Sequence, residues 1–136
     1  MLSPTAATLR LFLHVVAAAV WVGGQFALAG VVGPLRRAAP DATKVVANAF
    51  ARLAWPAFAV LVITGIWNLV AIDVTATSNA YQATVLVKIL LAVLAGVFVA
   101  IHSVGRTKLA LALGGALGAL CSVGALYLGI LLHTGR

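Results

Sequence analysis

Four stretches of this chain, 11–35, 53–72, 89–105 and 109–135, contain no Asp, Glu, Lys or Arg. Crossing the hydrocarbon core of a bilayer takes ~20 predominantly apolar residues, wound as a helix so that every backbone N–H and C=O is satisfied where no water can reach it. Four such runs in 136 residues leave little chain for anything else. The pattern predicts an all-α fold, an integral membrane four-helix antiparallel bundle forming a single transmembrane domain over 1–136, with helices at about 8–32, 50–72, 83–105 and 109–133. The remainder is tails and short connectors, so any site must lie between helices or at their ends. The first run follows Arg10 much as the core of a signal peptide follows its basic residues, but such a core is only ~7–15 residues long, and the run is read as a retained helix.

Composition agrees. Hydrophobic residues make up 64% of the chain and charged residues 8%, where an ordinary soluble domain carries about 25% charged. The apolar excess also excludes disorder. Nine Lys and Arg against two acids give a net charge of +7, which in a soluble protein would point to nucleic acid. In a membrane chain it is topology, and no nucleic-acid partner is expected. Arg36, Arg37, Lys44 and Arg52 fall between the first two helices or at the foot of the second, and Arg106 and Lys108 fall between the third and fourth. Only Arg10 and Arg136 mark the opposite side. The bias places both termini outside the cytoplasm in a multi-pass protein of the cell (inner, cytoplasmic) membrane, surrounded by membrane lipids. Gly33-Pro34 and Ala39-Pro40-Asp41 read as turns, the second opening a short amphipathic helix ahead of Asn48.

The acids are Asp41 and Asp73, both in predicted loops, and there is no Glu. Paired-carboxylate chemistry, carboxylate cages for Mg or Ca and a Ser-His-acid triad are thereby excluded, and no catalytic residue is assigned. A lone cysteine, Cys121, can form no intrachain disulfide and reads as packing. In helix four, Gly114, Gly118 and Ser122 recur at four-residue spacing. Lipid provides no hydrophobic drive for helix association, so small residues that allow close backbone approach are the expected interface. Gly23 and Gly24 in helix one and Gly65 in helix two read the same way, and the helix-four stripe suits a homodimer.

Polar groups inside a membrane are costly, so each requires a reason. Helix one carries His14, Trp21 and Gln25 on one stripe, with His14 well below the outer end. Helix three carries Lys88 at similar depth and His102 toward the cytoplasmic side. His133 closes helix four, and Trp67-Asn68 lies near the outer end of helix two, matching Trp55-Pro56 near its inner end as an aromatic anchor and a start or kink. Lys88 reads either as a snorkelling anchor or as a partner approaching His14, His133 as an interfacial residue or a rim ligand, and His102 as a hydrogen-bonding residue at the inner interface. Neutral imidazole ligates copper, zinc or haem iron, and helices can hold a porphyrin between them. His14, His133 and Lys88 are therefore the candidate metal or haem residues, with Trp21, Gln25, Trp67 and Asn68 around them.

The ordered set Leu13-His14, Trp21-Val22-Gly23-Gly24, Ala54-Trp55-Pro56-Ala57, Thr64-Gly65-Ile66-Trp67-Asn68 and Leu86-Val87-Lys88 resembles the copper resistance protein D family. The resemblance implies a four-helix membrane protein of copper uptake or tolerance, with copper as its metal, an extracytoplasmic copper chaperone as partner, and His14 and Lys88 as the matching polar positions. A second, more distant resemblance is to the HemJ-type membrane protoporphyrinogen oxidases, which implies a helix-one histidine holding haem. Copper(I) pathways favour thioether and thiolate ligands, whereas this chain has only Met1 and Cys121. Three readings therefore stand: copper handled by histidines at the outer mouth, a b-type haem or porphyrin protein, which if an enzyme would be a haem-dependent oxidoreductase, and a non-catalytic accessory subunit.

Overall fold

Each helix starts where the sequence supplies a way to satisfy its first N–H groups. In a computed structural model that describes residues 3–135, Thr5 caps the first helix in a reciprocal box with Thr8. Ser78 caps the third by accepting from the Tyr81 N–H, and Thr107 caps the fourth by accepting from the Ala110 N–H. The second starts instead with Pro40 in its first turn, where a missing N–H costs nothing, and with Asp41 against the positive end of the helix dipole. The resulting helices are α1 (Ala6–Ala38), α2 (Pro40–Ala71), α3 (Asn79–Val104) and α4 (Lys108–Thr134), each long and apolar enough to cross a membrane. The fold is all-α, and Met1 and Arg136, used above as ligand inventory and as a topological charge, lie outside the described residues.

Two local readings are corrected. Gly33-Pro34 is not a turn: α1 runs through it to Ala38, because an exposed proline near a helix end removes one hydrogen bond that the remaining turn can spare. Pro40-Asp41 does not open a separate short helix, since α2 is continuous from there to Ala71, with Pro56 inside it. The turn between the two helices is confined to Ala39, whose φ of −150° and ψ of 78° leave the helical region.

The chain divides at Ile72 and Asp73 into two compact units, each an antiparallel helical hairpin. In the first, α1 packs on α2 and buries Ala17, Trp21, Ala54 and Thr64. In the second, α3 packs on α4 and buries Val85, Ala95, Gly96, Gly114, Gly118, Ser122 and Leu132. Outward-facing Phe12, Ile63, Val70, Leu86, Leu109 and Leu120 are exposed apolar side chains, a surface suited to lipid.

Glycine brings α3 and α4 close. A Cβ at Gly114 would stand 2.8 Å from both the Phe98 carbonyl oxygen and the His102 nitrogen, and one at Gly118 would stand 2.8 Å from Val99 Cγ2. The first contact is with backbone, which cannot yield. Gly24 does comparable work in the first hairpin, where a Cβ would collide with the Phe50 ring, whereas one at Gly23 would meet nothing within 4 Å. Ahead of α3, the Asp73 carboxylate accepts from the Thr75 hydroxyl and N–H and organises a single 3-10 turn, Val74–Ala76. The Thr75 hydroxyl foremost, with the Ala76 and Thr75 N–H groups, holds that carboxyl below its ordinary range despite an opposing desolvation.

Candidate functional site

The first hairpin aligns polar and aromatic residues in three levels along the α1–α2 seam. At the level nearest the N-terminus of α1, Arg10 Nε donates to Asn68 Oδ1 at 2.7 Å, and its guanidinium lies 5.9 Å from the Trp67 ring centroid. One turn further along α1, His14 Nδ1 and Thr64 Oγ1 are 2.7 Å apart. Two turns beyond that, Trp21 stacks against Phe58 at 4.5 Å and edge-on against Trp55 at 5.6 Å. Antiparallel pairing explains the register: Arg10 and His14 are four residues apart on α1, and Asn68 and Thr64 are four apart on α2, so both pairs fall on facing stripes.

The Thr64 hydroxyl fixes the protonation of His14. Thr64 is 2% exposed, and its single hydroxyl proton is directed back to the Val60 carbonyl at 2.7 Å. Its oxygen can then only accept from His14, so Nδ1 is a donor in this bond. A ring nitrogen held in this way fixes the orientation of the imidazole. His14 is half-buried, eight residues into α1, or roughly 12 Å from the helix start. Gly65 lies beside it, at a distance where an added Cβ would be in ordinary contact with the ring, 3.8 Å from Cε1.

Below His14 the helix widens into one π-helical turn, Ala19–Gly23, which contains Trp21. Such turns insert a residue, rotate everything that follows about the helix axis and occur often at functional sites. The rotation alters the stripe read from regular spacing: Gln25 donates through Nε2 to the Trp21 carbonyl, 3.1 Å away inside the widened turn. Trp55, expected as an interfacial anchor, instead packs in the seam with Trp21 and Phe58.

The other expected residues belong to the second hairpin. Lys88 is half-buried on α3 and its side chain lies over Gly129 of α4, its Cε and Nζ 3.4 Å from where a Cβ would be, an ordinary contact distance. Neither α3 nor α4 carries an Asp or Glu that could pair with it. His133 is exposed in the last turn of α4, where imidazole complements the negative helix end. His102 donates through Nδ1 to the Leu111 carbonyl at 2.6 Å, tying α3 to α4 across the Gly114-Gly115 notch. Cys121 is a half-buried free thiol. Among the described residues no group of three His, Cys, Asp or Glu side chains is arranged to hold a metal ion.

Spacing alone did not single out Arg10 or Thr64 as members of the site. The available signal was the pair of four-residue repeats, Arg10/His14 and Thr64/Asn68, in helices joined by a short turn. No family model, curated protein or solved structure matches this chain.

Proposed function

We propose that the chain is a multi-pass protein of the cytoplasmic membrane that handles copper in the manner implied by its resemblance to the copper resistance protein D family, with His14 as the imidazole ligand in the extracytoplasmic leaflet. The observation that supports the reading is the His14–Thr64 hydrogen bond, which holds the imidazole in a fixed orientation in the α1–α2 seam. The lysine and arginine bias of the connectors supports an orientation with both termini outside the cytoplasm. In that orientation Arg10, His14 and Lys88 lie in the outer halves of their helices and His133 lies at the outer rim.

A second reading, a b-type haem or porphyrin protein, is favoured by the donor set. One oriented imidazole suffices as an axial ligand to haem iron, while a closed copper site needs several soft or imidazole donors. In this reading His14 Nε2 would hold the iron, and the haem would supply one-electron chemistry. Thr64 would keep the ring oriented and raise its basicity, and the Trp21, Trp55 and Phe58 cluster would close the seam beneath it against water.

Purified full-length chain distinguishes these readings. A haem protein is coloured as isolated, with a porphyrin absorbance that shifts on reduction and is lost in His14→Ala. A copper protein is colourless as isolated and binds copper more weakly at pH ~5 than at pH ~7.5, because imidazole with an ordinary pKa of ~6.5 must be neutral to ligate. Folded protein with neither property is an accessory subunit, and both metal readings fail.

A further inference from the structure

Arg10 is more than a topological charge. It stands in the first turns of α1, directly before the charge-free run 11–35. Its side chain is half-buried and held on two sides, by Nε donating to Asn68 Oδ1 at 2.7 Å and by the Trp67 ring. A cation that only snorkels to water keeps its rotamer freedom, whereas this one has given it up. The two partners leave its charge uncompensated, because an amide oxygen and an indole ring carry no formal charge. The terminal Nη nitrogens have no acceptor among the described residues. Asp41 is at the far end of α2 from Asn68, roughly 40 Å along the helix, and the Asp73 carboxylate is engaged by Thr75.

Depth and surroundings narrow what completes such a site. Trp67 is 40% exposed, one turn before the end of α2, and a tryptophan so placed marks the level of the lipid headgroups. A guanidinium with its fork free at that level matches a phosphate, whose oxygens it can bind in a bidentate manner. The neighbouring turns of α1 and α2 expose Leu9, Leu13, Ile66 and Val70, an apolar surface for the acyl chains below a headgroup. With no free carboxylate at hand for an ammonium, the arrangement favours a headgroup whose phosphate is its only charge. We infer that Arg10 is the phosphate-binding residue of a site for an acidic phospholipid, at the end of the first hairpin where α1 begins and α2 finishes. Asn68 and Trp67 are positioning residues that act through Arg10. The site needs nothing of His14 and is independent of which metal reading holds.

The test titrates purified full-length chain, in neutral detergent, with phosphatidylglycerol or with phosphatidylcholine, and reads the fraction carrying one lipid by native mass spectrometry. Wild type binds phosphatidylglycerol about ten-fold tighter than phosphatidylcholine. Arg10→Gln brings the acidic lipid down to the level of the zwitterionic one, while Arg10→Lys retains part of the preference, because a point charge replaces the fork. Asn68→Asp guards against a trivial loss of fold: its carboxylate adds an ion pair to the seam, takes up the guanidinium charge within the protein and removes the preference. Helical circular dichroism confirms that each variant is folded. Arg37→Gln deletes an exposed charge of the connector and leaves the preference unchanged. A preference that survives Arg10→Gln and Asn68→Asp, or that falls as far in Arg37→Gln, reports general attraction to a chain of net charge +7 and overturns the inference. Inorganic phosphate in large excess distinguishes the other source of the anion: if it displaces phosphatidylglycerol from wild type, the ligand is a free oxyanion and the inference also fails. An Arg10-dependent preference in protein that binds neither copper nor haem sustains the lipid site while both metal readings fall.

Discussion

Replacing Thr64 by Val removes a single hydroxyl from the seam and little volume, so it isolates the role of that hydroxyl in holding His14. Thr64 accepts the His14 Nδ1 proton over 2.7 Å at a position 2% exposed. Hydrogen bonds between membrane helices are worth about 0.6–2 kcal/mol, and a buried donor left without an acceptor costs ~1–3 kcal/mol. Thr64→Val is therefore expected to destabilise the first hairpin by about 1–2 kcal/mol. The effect on ligand binding is more specific. With Nδ1–H no longer held, the ring can rotate or change tautomer, and loss of such an outer partner typically costs 10–100-fold in metal affinity. Thr64→Ser restores the acceptor and the bond to Val60, and should recover both quantities. The assays are denaturant unfolding in detergent followed by helical circular dichroism, and metal or metalloporphyrin titration of the same samples. Val and Ser variants that bind alike, with affinity equal to wild type, would refute the assignment of Thr64 as the group that orients His14.

Three further outcomes follow from the packing and the connectors. Gly114→Ala places a methyl against the Phe98 carbonyl and His102 nitrogen and should destabilise the second hairpin by roughly 1–3 kcal/mol, whereas Gly23→Ala, facing open space, should be close to neutral; equal unfolding midpoints would contradict the close approach. The Asp73 carboxyl is held below its ordinary range by Thr75; a depressed pKa contributes stability above the unfolded value that is lost as pH falls through the folded value, so protection of the Thr75 amide, its exchange rate measured against the intrinsic rate at each pH, should be lost only on acidification below the usual carboxylate range, and Asp73→Asn should remove that dependence. Cysteines introduced singly at Ala76 and Arg37 in a Cys121→Ser background should label from opposite faces of intact cells, Ala76 from outside; the reverse pattern would invert the topology and place His14 in the inner leaflet.

The helices were legible because a membrane leaves the chain few choices: long charge-free runs must be helical, and Thr5, Ser78 and Thr107 are residue types that cap. The boundaries were less legible. Gly33-Pro34 and Pro40-Asp41 carry the same turn chemistry, yet only the second coincides with a break, at Ala39. His14, Asn68 and Trp67 stood out as polar or amphipathic residues in an apolar helix. Arg10 reads as topology because a charge near a helix end has that simpler explanation, and Thr64 gives no signal of its own because a helical threonine ordinarily satisfies itself on the preceding turn. Both roles depend on cross-helix register, which a single sequence does not display. The π-helical turn at Ala19–Gly23 left no local signature, and it is what turns Gln25 back onto the Trp21 carbonyl.

The two hairpins form an internal comparison that bears on why the first is polar at all. The second joins its helices with glycine: Gly114 and Gly118 admit the backbone and side chains of α3, and one exposed clasp, His102 to Leu111, ties the end nearest the turn. Such packing is enough to pair two helices in lipid. The first hairpin has the same means available in Gly24, Ala17 and Ala54, yet it also carries Arg10, His14, Thr64 and Asn68 along its seam. Each of these costs desolvation that a net hydrogen bond of about 1 kcal/mol only partly offsets. Helix pairing does not require a row of such residues, since the closest approach of α3 and α4 is made by glycine. Under the proposed function a ligand would require it, because an imidazole is held in one orientation only by a polar partner fixed on the facing helix. Thr64→Val tests that argument, since it removes the partner and leaves the helix pairing otherwise as it is.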